Sequence, residues 1–237
     1  MKNIFLAFVF LSSSVIASAQ RVVNDPNAEV RDVPSFHAIH VSNSFDVIIT
    51  QGSQESLAVS ASNKEDIADI KTYVEKGVLK ILFDKKEKWW PKNRKLKAYI
   101  AVKNLDEIYG SGASDFNIEG SLTTSNLKLN FSGASDLDGK LVISNKLDIH
   151  LSGASDIEIN GSAAEVTIDA NGASDVKAYE FKTTNCIVDA SGASSVRITV
   201  DKELSAKLSG ASNVSYKGTA MIKDIKTSGA SSISRKS

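Results

Sequence analysis

The sequence predicts an all-β protein, a single-stranded right-handed parallel β-helix of about seven regular coils, each of ~20 residues, behind an irregular N-terminal β cap. Three observations predict it. Gly-Ala-Ser occurs seven times, at Gly112, Gly133, Gly153, Gly172, Gly192, Gly210 and Gly229, spaced by 21, 20, 19, 20, 18 and 19 residues. The flanks alternate: the fourth residue after each glycine is Phe116, Leu137, Ile157, Val176, Val196, Val214 or Ile233, and the fourth before is Ile108, Leu129, Ile149, Ile168, Val188, Ala206 or Ile225. Polar residues such as Lys128, Asn130, Asp148 and His150 intervene, which is the period-two pattern of strands with one buried face. The composition also leans toward Ser, Thr, Val and Ile, with only 3 Pro in 237 residues.

Each coil should consist of three short strands and three corners, stacked at about 4.8 Å. Glycine suits a corner that needs positive φ. Alanine suits a narrow corner interior, and the serines can hydrogen-bond along the stack. Three residues after each glycine stand Asp115, Asp136, Asp156, Asp175, Ser195, Asn213 and Ser232. Stacked carboxylates repel, so a calcium stripe or an acid cluster is one reading of this ladder. The other is that each Asp caps its own corner. Ser and Asn replace it without breaking the repeat, which favours the second, and Gly112 through Gly229 with Asp115, Asp136, Asp156 and Asp175 are read as structural corners. Leucine-rich, nonapeptide calcium-binding and propeller patterns do not match.

Upstream, strands read at residues 36–41, 45–50, 57–61, 78–83 and 96–102, with one or two helical turns within 65–73. No Pro/Gly linker divides them from the repeats. The organisation is therefore a leader (1–19), an N-terminal extension (20–35) and one β-helix domain (36–235), split into front coils or cap (36–105) and repeats (106–235). The leader has a basic start at Lys2, an apolar run and Ala17-Ser18-Ala19, the small-x-small pattern of a cleaved secretory signal. Cleavage after Ala19 would make Gln20 the first mature residue. The chain is expected in the periplasm, on the cell surface or outside the cell, with no membrane-spanning segment once the leader is removed.

Lys+Arg and Asp+Glu are both 28. That balance argues against nucleic acid as a partner. The lone Cys186 stands where other coils carry Leu127, Leu147, Val166 and Leu204, so it reads as a small buried hydrophobe. His37, His40 and His150 lack metal-ligand spacing and read as surface residues. Neither a cofactor nor a metal site nor a catalytic residue is expected. The best candidate contact is the segment 84–95, with Trp89 and Trp90 among six basic and two acidic residues. Trp89, Trp90, Lys88 and Arg94 could stack on sugar or contact a partner. The structural reading is a solvated hairpin whose tryptophans fold over the end of the core.

Phe36-x-x-Ile39-x-Val41, the strand Phe45–Thr50, Val78-Leu79-Lys80-Ile81 and the Ser-Gly-Ala-Ser-Asp run resemble the "putative auto-transporter adhesin, head GIN domain" family of exported bacterial proteins. The resemblance covers about residues 36–235. It implies a right-handed β-helix and an adhesion-like role, and it supplies no catalytic residues. The leading expectation is a non-enzymatic envelope or surface binding module for a glycan or surface protein. The first alternative is a carbohydrate-active lyase or glycosidase, an analogy from fold alone, for which Arg197 is the only arginine amid the repeats. The second is a self-assembling structural protein, because no polar cap follows the last coil and an open edge can pair with another copy.

Overall fold

The repeats fold by turning at each Gly-Ala-Ser. The computed structural model describes residues 25–84 and 95–237. The chain runs through β1 (Glu29–Arg31), β2 (Ala38–Val41), β3 (Phe45–Gln51), β4 (Ser56–Ala61), a 3-10 turn (Lys64–Asp69), β5 (Ile70–Glu75), β6 (Val78–Phe83), β7 (Leu96–Val102) and β8 (Glu107–Gly110). The long repeat strands follow: β9 (Asp115–Phe131), β10 (Asp136–Leu151), β11 (Asp156–Ala170), β12 (Asp175–Ala190) and β13 (Ser195–Leu208), then β14 (Asn213–Lys217), β15 (Met221–Thr227) and β16 (Ser232–Arg235). Consecutive long strands pair in parallel, each on the one before, and form a β-solenoid of about 6 turns. Pairing of β10 on β9 breaks between Gly139 and Leu141 and again between Ile143 and Lys146, so one coil comprises three straight segments.

Inward side chains form ladders. Phe116, Leu137, Ile157, Val176, Val196 and Val214 stack in register, as do Leu129, Ile149, Ile168, Val188 and Ala206, all at most 4% exposed. Cys186 lies in such a ladder, 2% exposed, and burial pushes its thiol up to about 12. The hydrophobic effect thus acts along one continuous column, each turn covering its neighbour.

The corners are built differently from the expectation in one respect. The alanines point outward and are exposed, while the serines turn in: Ser114, Ser135, Ser155, Ser174, Ser194 and Ser212 are at most 1% exposed. Several hydroxyls are satisfied locally, Ser194 Oγ donating to Ser191 O at 2.8 Å and Ser212 Oγ to Ser209 O at 2.9 Å. A serine fits this narrow interior because its small side chain returns its hydrogen bond to its own turn. Alanine instead supplies its backbone: Ala154 N–H donates to Gly133 O at 2.7 Å, and Ala134, Ala173, Ala193, Ala211 and Ala230 repeat that bond to the preceding glycine. Gly153 shows why glycine is required. Its φ is +81°, and a Cβ there would lie 2.5 Å from Gly133 O. Asn43, at φ +84°, begins the stack and accepts from Ala113 N–H through its carbonyl.

The front segment closes one end. β3 lies between β9 and β7, all parallel, and β4 then β1 add antiparallel. On the neighbouring face, β2 lies between β8 and β6, and β5 adds antiparallel to β6. The helical turns expected within 65–73 stop at Asp69, and Ile70–Glu75 is a strand, because its alternating residues pair with β6. β1 falls in the N-terminal extension, ahead of the first expected strand, and gains its order from β4. Among the described residues, no helix is long and apolar enough to cross a membrane.

Candidate functional site

Two outward ladders flank the corners, one uniform and one varied. The uniform one follows each corner. Asp46 of β3 extends it, pairing in register with Asp115, so five carboxylates stand in line: Asp46, Asp115, Asp136, Asp156 and Asp175. One of them bonds along the stack: Asp136 Oδ1 accepts from Asp156 N–H at 3.0 Å. Arg197 Nη1 donates to both oxygens of Asp175, at 2.9 and 2.8 Å, which neutralises the end of the row. Arg197 is therefore committed to a neighbouring strand. Burial raises the Asp115 carboxyl above its usual range, with Asp136 and Asp46 adding repulsion. Among the described residues no cluster of His, Cys, Asp or Glu is arranged to hold a metal.

The varied ladder precedes each corner. The third residue before each repeat glycine is Tyr109, Asn130, His150, Asp169, Asp189, Lys207 and Lys226. Register places these side by side on β8 to β13 and β15, and extends the line through His40 and Lys80 on β2 and β6. Alternation directs them to the outer surface. One level thus offers a phenol ring, the next an amide, then an imidazole, then carboxylates.

Around Tyr109, Asn130, His150 and Asp169 the surface dips into an open groove of about 540 Å³, whose wall includes Glu107 and Asn171. The groups are held but not consumed. Asn130 Nδ2 donates to Glu107 Oε1 at 2.8 Å, and Asn171 Nδ2 donates to Asp169 Oδ1 at 2.6 Å. His150 Nδ1 lies 3.8 Å from Asp169 Oδ2. His40 packs its ring 5.0 Å from that of Tyr109, and burial lowers its pKa despite Glu107. No hydrogen bond holds the Tyr109 hydroxyl among the described residues. At the far end Lys207 Nζ pairs with Asp189 at 3.1 Å. A ring face beside amide, imidazole and carboxylate groups can bind a polar ligand in an extended pose, spanning two or more coils.

His40 and His150, read from sequence as unrelated surface residues, thus share one ladder. His37 lies elsewhere: its Nδ1 is 3.0 Å from both Asp106 oxygens, which raise its pKa. The signal for the varied ladder was present in the repeat alignment, at the position three before glycine, but its lack of consensus hid it. Lys88, Trp89, Trp90 and Arg94 lie outside the described residues, as does the leader.

Solved structures share the fold. A putative adhesin from Bacteroides fragilis superposes with a TM-score of 0.82 at 22% identity, covering 88% of this chain and 96% of that one. A putative lipid binding protein from Parabacteroides distasonis gives 0.69 at 18%, covering 90% and 98%, and a putative adhesin from Parabacteroides merdae gives 0.69 at 18%, covering 89% and 95%. Comparison with curated proteins yields no match. The pattern of one family matches residues 35–220, most of the solenoid, and the chain belongs to that family, "Putative auto-transporter adhesin, head GIN domain".

Proposed function

We propose that this protein is an exported, non-enzymatic, adhesion-like module that binds a glycan along the varied ladder. The observation that carries the reading is the contrast between the two ladders. The Asp row keeps one chemistry from Asp46 to Asp175, whereas the row from His40 to Asp169 changes chemistry at every level while the core beneath it stays apolar. A fold that needed only a soluble surface there would have no use for a groove with an aromatic ring at one end. A pyranose can stack on Tyr109, and its hydroxyls can donate to Asp169 and accept from Asn130 or His150. Family membership supports adhesion, and the Met1–Ala19 pattern supports export. Trp89 and Trp90 are proposed as a second contact.

An array of glycans and matrix proteins tests this, read with the mature chain and with Tyr109→Ala, Asn130→Ala and the Trp89→Ala/Trp90→Ala double variant. Glycan binding should fall about tenfold or more in the ladder variants if these are central contacts. Binding only to matrix protein, or binding lost in the tryptophan variant alone, contradicts the assignment. Polysaccharide turnover abolished by Asp136→Asn or Asp156→Asn would refute the non-enzymatic part. N-terminal sequencing of the exported protein should begin at Gln20.

A further inference from the structure

The two ends of the column are unlike. Antiparallel strands close the first end on both faces, β4 with β1 on one and β5 on the other. At the opposite end β15 pairs only with β13, and β16 only with β14, so both outer edges lack a strand partner among the described residues. The last coil also shows its inward side: Ile222, in register with the buried Leu204, is 45% exposed, and Ile225 and Ile233 are half-buried. A stacked column needs a polar cap, and a bare edge beside apolar side chains is a template for pairing.

We propose that this end pairs with the same end of a second copy, β15 against β15, antiparallel about a two-fold axis at Ile225. Register supports that occupant. Facing residues of an antiparallel pair lie on the same side, so a pairing that keeps Ile225 inward must be centred on a residue rather than between two. Centring on Asp224 sets Asp against Asp, and centring on Lys226 sets Lys against Lys. Centring on Ile225 sets each Asp224 against the other copy's Lys226, twice by symmetry, with Ile225 meeting Ile225 on the core side. Both charged side chains are exposed and already lie 3.5 Å apart within one strand. Pairing of β15 with β13 shifts register between Leu204 and Ser205, which leaves Lys223 as the extra residue. That bulge confines regular pairing to residues 224–227. Two-fold pairing is closed, so it stops at two chains. The dimer would present two ligand grooves and gain avidity on a polyvalent surface, but it rests on the edge alone and not on the ligand assignment.

Sedimentation velocity over a wide concentration range tests it. The mature chain should form a dimer that dissociates on dilution. Asp224→Lys alone, or Lys226→Asp alone, should weaken association by on the order of tenfold to a hundredfold, by placing like charges opposite each other. Combining the two substitutions should restore it, while thermal melts show that every variant is folded. A chain that stays monomeric throughout, a dimer indifferent to single reversal, a double variant that fails to re-associate, or open-ended polymers would each overturn the proposal.

Discussion

Replacing Gly153 with alanine isolates what the corner stack contributes. Two costs add. A side chain at φ +81° costs about 1–2 kcal/mol relative to glycine. The new Cβ would also sit 2.5 Å from Gly133 O, the acceptor of the 2.7 Å bond from Ala154 N–H. Moving that carbonyl weakens a backbone bond worth about 0.5–1.5 kcal/mol net. The sum is about 1.5–3.5 kcal/mol, or a fall of about 3–14 °C in midpoint for a chain of this size. Gly120 supplies the control. Its φ is +83°, but a Cβ there meets nothing within 4 Å, so Gly120→Ala should cost only the first ~1–2 kcal/mol. Urea melts followed by circular dichroism compare the two. Equal destabilisation would refute the claim that close stacking, and not backbone conformation alone, selects glycine at the corners.

Two further outcomes follow from the titrating groups. The Asp115 pKa is raised by the fold, so its favourable contribution is present below the ordinary value of 3.8 and is lost as pH rises through the folded value. Asp115→Asn should therefore stabilise the protein at pH 7 by about 0.2–1 kcal/mol, with the gain vanishing in acid; a loss of stability at pH 7 would mean the ladder is bridged rather than repulsive. Cys186, with its thiol held near 12, should resist thiol reagents at pH 8 and react only in denaturant, and rapid labelling of the folded chain would contradict its place in the core.

The repeat was readable because stacking imposes the same demand at every level. Gly153 must be glycine for the reason Gly133 and Gly172 must be, so consensus appears in one chain without any comparison. The direction of the corner side chains was not readable: Ala154 and Ser155 are adjacent and both small, and only the backbone decides which enters the core. The strand Ile70–Glu75 was masked by the turn before it, since its order comes from β6 rather than from its own residues. The candidate site was hidden for the opposite reason from the fold. Tyr109, Asn130, His150 and Asp169 share a position in the repeat but no chemistry, and a search for recurring residues passes over them. Their neighbourhood, with Glu107 and His40 arriving from the front strands, exists only once register is known.

The residues before each corner are proposed to hold a ligand, and the Asp row after each corner is not. Titration calorimetry of the best array glycan into matched Tyr109→Ala and Asp136→Asn proteins tests that division most directly. Tyr109→Ala should lose binding about tenfold or more with an unchanged melting midpoint, while Asp136→Asn should bind as the parent does. Binding that survives in Tyr109→Ala and fails in a fully folded Asp136→Asn would contradict it.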